Sequence, residues 1–239
     1  MKQILAATSS MLARMRELEI TANNLSNVNT PGYKRDRYFA NILDQQQRIQ
    51  AGTGFMQDGV YLEDQSRVDL SQGPLDETGN PLDLGINGSG FFVLEDEVQG
   101  EVYSRSGDFM MDDSRYLITS SGRRVLGEGG PVRIPPGNLT VSGNGEILVD
   151  GKYVDQLRVV VPDETQDILK QGNCEYLFTI NPDERPGEIV QGFIERSNVN
   201  PVESMVRLVT LQRDFDTNQK VIQSLDGINK IAANQVGKL

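Results

Sequence analysis

Few side chains in this sequence are of the types that do chemistry, and their spacing narrows them further. The glycine run Gly85-Ile86-Asn87-Gly88-Ser89-Gly90 invites comparison with a phosphate loop, in which backbone N–H groups cradle an anion. It lacks the spacing of a dinucleotide loop, carries no Lys-Ser/Thr pair, and precedes a strand-like run where a helix N-terminus is required. It reads as a tight turn. Glu95-Asp96-Glu97 and Asp112-Asp113 offer hard oxygen ligands, but neither is set at the alternating positions of a calcium loop, so both read as solvated turns. Cys174 is the only cysteine, so no intrachain disulfide can form. At the head of Glu175-Tyr176-Leu177-Phe178 it reads as a small buried hydrophobe before a reactive thiol. The sequence contains no histidine, the residue most used for proton transfer and for zinc. Carboxylates brought together in space stay open as an acid–base pair, though nothing in the pattern points to one. No catalytic residue, metal or cofactor is expected.

The stronger pattern lies in the elements at the two ends. Ile4, Thr8, Met11, Met15, Leu18, Ala22 and Leu25 follow one another by alternating steps of four and three, the signature of a helix burying one narrow seam. Leu208, Leu211, Phe215, Asn218, Ile222, Leu225, Asn229, Ala232 and Val236 keep the same steps near the other terminus. A lone helix cannot bury such a stripe, so the ends must pair with each other, with another chain, or with both. Met11 and Met15 are packing residues on this reading. The first helix should stop at Asn27-Val28-Asn29-Thr30-Pro31-Gly32, because the residue before proline leaves the helical region and Gly32 frees the backbone. Asn200 is a natural cap for the last helix, with Pro201 as its first residue. Residues 201–236 would span about 50 Å at 1.5 Å per residue.

Between the ends, residues 33–72 show no lasting period and read as an extended arm, with a short helix around residues 38–50. From residue 82 the pattern changes to short strands separated by turn chemistry. Asn87-Gly88, Asn144-Gly145 and Asp150-Gly151 are hairpin dipeptides, and residues 91–94, 115–119, 146–149 and 157–161 read as strands. No alternation of strand and helix argues for a parallel nucleotide-binding sheet. The expected fold is α+β: N- and C-terminal helices pairing as a coiled-coil-like stalk, a central all-β domain and an extended arm. The segments are 1–32, 33–81, 82–195 and 196–239.

Composition supports an elongated or assembling chain. Of 239 residues 37% are hydrophobic, none is Trp, and the mean hydropathy is -0.40, which is wet for a single globule. The net charge of -11 is uneven: residues 1–37 hold 6 basic and 3 acidic side chains and residues 196–239 hold 6 and 4, leaving 11 against 27 between them. An acidic middle repels phosphate, so nucleic acid is not an expected partner. No stretch approaches the ~20 apolar residues of a membrane span, and the N-terminus lacks the apolar core of a cleaved signal. Those signals alone read as cytoplasmic.

Thr21-Ala22-Asn23-Asn24-Leu25-Ser26-Asn27-Val28-Asn29-Thr30-Pro31-Gly32-Tyr33-Lys34 resembles the N-terminal signature of flagellar basal-body rod and hook proteins. Glu195-Arg196-Ser197-Asn198-Val199-Asn200-Pro201-Val202-Glu203-Ser204-Met205-Val206, with Leu211-Gln212-Arg213-Asp214-Phe215 after it, resembles their C-terminal signature. Gly90-Phe91-Phe92, Tyr103-Ser104-Arg105-Ser106-Gly107 and residues 116–122 extend the likeness through the middle. The length fits a rod member with one β domain. Residues 127–131 and 150–157 are most similar to proximal rod members, with distal ones as the alternative. The resemblance implies a structural subunit of the basal-body rod, a non-enzyme that assembles with copies of itself and other rod proteins into the shaft carrying torque from motor to hook. It further implies export by the flagellar type III apparatus without a cleaved signal, a place in the periplasm that overrides the cytoplasmic reading, and contact with the surrounding rings. A secreted binding module and an enzyme with dispersed carboxylates are the alternatives from other classes. Resemblance and seams together mark Ile4, Met11, Met15, Leu18, Ala22, Asn24, Leu25, Asn27, Pro31, Gly32, Tyr33, Asn198, Val199, Asn200, Met205, Leu208, Leu211, Phe215, Ile222 and Leu225 as the expected assembly interface.

Overall fold

Helix α1 runs from Lys2–Ser26 and stops where Asn27 to Gly32 requires it to stop, with Gly32 in the left-handed region at φ 67°. The computed structural model describes residues 2–42, 62–96, 100–162, 168–172, 174–178, 182–184 and 187–236. Helix α2 spans Pro201–Val236. Its cap is Asn200, whose Oδ1 accepts the N–H groups of Val202 (3.1 Å) and Glu203 (3.2 Å), and Glu203 adds negative charge in the first turn. The chain is α+β, and none of its described helices is long and apolar enough to cross a membrane.

Two compact units divide it. The first comprises residues 1–26, 36–67 and 200–239. Within it α1 and α2 pack on one another: Leu211 is fully buried, Leu208, Phe215 and Asn218 are half-buried, and Arg207 pairs with Glu17. Asp36–Ile42 and Leu62–Val68 form a two-stranded sheet, which as far as Arg67 belongs to the same unit. The helix expected around residues 38–50 is therefore a strand as far as Ile42, and residues 43–50 lie outside the described ones. The cause is Asn24, whose side chain donates to the Asp36 carbonyl (2.8 Å) and accepts the Asp36 N–H (2.9 Å). Both backbone groups of Asp36 are thereby engaged outside any helix, and Tyr38, Phe39 and Ile42 suit a strand.

The second unit comprises residues 27–35 and 68–199, and its described residues are mostly β. Its largest sheet has six strands in the order Ile168–Gly172, Glu175–Phe178, Gly100–Ser104, Phe91–Asp96, Val159–Val161 and Asp183–Glu184, with antiparallel pairings throughout. Strand Phe91–Asp96 is buried on both faces: Phe92 and Leu94 enter one core with Val102, Phe109, Leu117 and Ile134, while Phe91 and Val93 enter another with Tyr103, Val160 and Tyr176. Such a strand has to be apolar at consecutive positions, which is how Phe-Phe-Val-Leu reads. Asp150-Gly151 makes the expected hairpin, both residues at positive φ (50° and 76°) and Val149 facing Lys152.

Asn87-Gly88 does not make a hairpin. Leu84–Asn87 pairs with Glu188–Gln191, whereas Phe91–Asp96 joins the six-stranded sheet. Residues 88–90 therefore carry the chain from one sheet to another. Their glycines are used at positive φ (92° at Gly88, 148° at Gly90), and the carbonyls they expose are taken up by a buried arginine.

Phe92 is fully buried and packs edge-on to Phe109 at 5.0 Å between ring centres. Phe92→Ala should lower the stability of the β unit by about 3–5 kcal/mol, the cost of an unfilled aromatic site. Urea unfolding followed by near-ultraviolet circular dichroism measures it, and a loss under about 1 kcal/mol would mean that this core is not close-packed.

Candidate assembly site

The residues of the two terminal signatures meet in the β unit around one carboxylate. Glu195 ends strand Phe193–Glu195, which pairs with Leu75–Glu77, and its own carbonyl accepts the Gly32 N–H at 2.8 Å. Its side chain is about 1% exposed. Oε1 accepts the Lys34 ammonium at 2.6 Å and the Gly73 N–H at 2.8 Å, and Oε2 accepts Arg105 Nε. Arg105 donates further from Nη1 to the Gly90 carbonyl and from Nη2 to the carbonyls of Ile86 (2.8 Å) and Gly88, the glycine turn that crosses between sheets. Lys34 also donates to the Ser71 carbonyl at 2.8 Å, and its backbone N–H donates to the Tyr176 hydroxyl at 3.2 Å.

Two buried cations thus share one buried anion. Burial pushes the Lys34 ammonium below the ordinary lysine range; the attraction and hydrogen bond of Glu195 oppose this, and the neighbouring Arg105 charge adds to it. Pairing of this kind rarely adds net stability, because desolvating the ions costs about what the attraction returns. Removing one partner is a different matter, since it strands a charge in the interior.

A second layer surrounds the first. Asn198 Oδ1 accepts the Arg35 N–H at 2.8 Å, and its Nδ2 donates to the carbonyls of Asp69 (2.9 Å) and Ser71 (3.0 Å). Arg35 in turn pairs with Asp69 at 2.7 Å. Burial raises the Asp69 carboxyl, but the Arg35 hydrogen bond, the Ser71 N–H and the Arg35 charge outweigh it and hold the group well below the usual carboxylate range. Tyr33 lies buried beneath the Lys170 ammonium, 4.3 Å from its ring centre. Gly32 cannot be replaced, because a Cβ there would sit 2.2 Å from the Ser106 backbone nitrogen.

The expected interface residues therefore separate by position. Asn24, Gly32, Tyr33 and Val199 are buried within their own units, and Leu211 is buried on α2. Met11, Leu18, Ala22, Leu25, Asn27, Pro31, Asn198, Leu208 and Phe215 are half-buried. Met15 and Met205 are exposed, at 41% and 54%, and so is Asn200. Ile4, Ile222 and Leu225 lie on the helices, with side chains outside the described ones. Lys34, Arg105 and Glu195 were not singled out by sequence, although each is a charged residue inside a motif, at the border of an extended segment. Glu95, Asp96, Asp112 and Asp113 draw in no third ligand: among the described residues no group of three or more Cys, Asp or Glu side chains gathers to hold a metal. Cys174 is half-buried, and burial pushes its thiol up to about 11, far from a reactive thiolate.

Three family models match the chain: the flagella basal body rod protein model over residues 4–34, the flagellar hook protein FlgE/F/G D1 domain over residues 85–172, and the flagellar basal body rod FlgEFG protein C-terminal region over residues 190–235. Among curated proteins, the flagellar basal-body rod protein FlgF of Caulobacter vibrioides is 31% identical over 97% of this chain and 96% of its own length. The flagellar hook-basal body complex protein FlhO of Bacillus subtilis is 29% identical over 100% of both. The flagellar basal-body rod protein FlgG of Agrobacterium fabrum is 29% identical over 99% of this chain and 100% of its own length.

Glu195→Gln should destabilise the β unit by about 3–5 kcal/mol, leaving Lys34 and Arg105 without their counter-charge. Lys34→Met should cost less, because Glu195 keeps Arg105; thermal melting of the two variants gives the order. Asp69 supplies a pH signature. Its folded pKa is depressed, so its stabilisation is complete above the ordinary carboxylate pKa of 3.8 and is lost as pH falls below it. Asp69→Asn should therefore be less stable than the parent at pH 7, and the gap should close as the pH is taken below about 4. A gap independent of pH would mean that the carboxylate charge is not what matters at this position.

Proposed function

Because the chain belongs to the flagellar basal-body rod family and is a structural subunit of the flagellar rod, we propose that it assembles with copies of itself and other rod proteins into the shaft that carries torque from motor to hook. The observation that carries this reading is the separation between what the chain uses internally and what it leaves over. The polar signature residues Asn24, Lys34, Glu195 and Asn198 are consumed in holding their own units together. Apolar side chains at Leu12 and Met15 on α1 and at Val202, Met205, Val206 and Val209 on α2 are left exposed.

Pairing of the two helices as a coiled-coil-like stalk belongs to this proposal, with Leu18, Leu25, Leu208, Leu211, Phe215 and Leu225 as its seam. The proximal part of the rod is the favoured position, supported by residues 127–131 and 150–157, and the distal part is the alternative. Export by the flagellar type III apparatus, a periplasmic place and contact with the rings around the rod complete it. The acidic middle repels phosphate, so nucleic acid has no place in that work.

Leu18→Asp and Leu225→Asp test the seams. Either places a charge on the proposed seam, where a charge buried without a partner on assembly costs several kcal/mol. Cells carrying either variant should fail to swim on soft agar, while the purified protein keeps the melting transition of its β unit. Arg16→Asp, at a position 61% exposed, should be far milder, since such substitutions usually change stability by about 0.5 kcal/mol. Normal swimming by both leucine variants would remove the seams from the assembly.

A further inference from the structure

Helix α2 carries two apolar faces, and packing on α1 uses only one. At ~100° per residue, Leu208, Leu211, Phe215 and Asn218 fall within about 80° of arc, and all are buried or half-buried. Val202, Met205, Val206 and Val209 fall within about 100° on another side, centred roughly 150° away. They remain between 51% and 69% exposed. Valine is a poor helix former, so three of them in two exposed turns serve no purpose within the helix. Clustered apolar exposure of this kind marks a contact surface, unlike single exposed side chains.

Helix α1 has a leftover of its own. Leu12 is 57% and Met15 41% exposed, on the side away from the buried or half-buried Glu17, Thr21 and Asn24. Within one chain α1 and α2 are already in contact, and the fully buried Leu211 and the Arg207–Glu17 pair lie on sides of the helices away from both leftovers.

Resting on the rod reading above, we infer that the α2 stripe Val202-Met205-Val206-Val209 seats the Leu12–Met15 face of α1 from a second copy of this chain. The spacing supports a parallel fit. Leu12, Met15 and Glu19 advance by three and then four residues, as do Val206, Val209 and Arg213, so the register that pairs the apolar side chains sets Glu19 beside Arg213. The exposed Arg16–Glu19 pair is too weak to hold Glu19 back. The two patches differ, so the contact is heterologous: each copy offers one patch forward and one back, and the series continues instead of closing into a dimer. Its area is also too small for a free dimer. Two short stripes bury a few hundred Å², against the roughly 1,200 Å² of a stable interface, so the contact holds when repeated along an assembly.

The test uses the full chain in cells, with Cys174→Ser as background and Leu12→Cys and Val206→Cys combined. Basal bodies are isolated and oxidised, and their proteins separated by mass. The expected result is a ladder of multiples of the 26.5 kDa chain, absent from either single-cysteine chain. Met15→Cys with Val209→Cys, one turn along, should repeat it. Glu19→Arg should weaken the ladder and added Arg213→Glu should restore it. A dimer from Val206→Cys alone, a cross-link to a protein of another mass, or the chain present in basal bodies without a ladder would each overturn the inference. Absence of the unsubstituted chain from basal bodies would overturn the rod reading and this inference with it.

Discussion

One buried carboxylate holds the β unit's ends in place. Glu195 is out of water and faces two cations, Lys34 from the N-terminal signature and Arg105 from the middle of the chain, in a single cluster. Such a cluster does little for net stability, because the desolvation of three ions offsets their attraction. Its effect is on which structure forms. A segment placed slightly wrong would strand a charge at a cost of several kcal/mol, so residues 30–35 and 193–199 are admitted to the unit only in register. The second layer, Asn198 with Arg35, Asp69 and Ser71, adds direction to that requirement, since Asn198 bonds three backbone groups at fixed places.

That requirement joins residues far apart in sequence. Lys34 and Glu195 are 161 residues apart, and the Arg35–Asn198 contact spans 163. Closing such loops costs entropy before any bond is made, so the contact has to be rewarded by something it alone completes. The Gly32 N–H to Glu195 carbonyl bond supplies part of this, and the left-handed Gly32 places the chain against Ser106 with no room for a side chain. The signatures at the two ends are therefore halves of one site within the β unit, as well as flanks of two helices.

What could be read beforehand was what depends on near neighbours. The stop after Ser26, the Asn200 cap and the Asp150-Gly151 hairpin each follow from residues within one turn of each other, and each is present. The seam steps at Leu208, Leu211 and Phe215 were legible for the same reason, since helical period is a local property. Asn87-Gly88 misled because the dipeptide fixes a turn and says nothing about which sheet each flank joins. Residues 36–42 misled because the side chain that sets them extended belongs to Asn24, twelve positions earlier. The ionic cluster was illegible for the strongest form of this reason: no local pattern distinguishes a buried Arg105 from an exposed one until Glu195 is beside it.

The half-legible part is the helices, and the reason is chemical. A seam announces that burial is required without saying by whom, because apolar side chains carry no address. Leu211 is covered within the chain, while Val202, Met205, Val206 and Val209 on the same helix are left in water. The polar bonds at Asn24, Glu195 and Asn198, directional and costly to leave unmade, are spent within the units. The apolar surface left over tolerates solvent at modest cost and regains it on contact. The assembly proposed above fits that division: the fold is fixed by the bonds that cannot wait, and assembly is left to those that can.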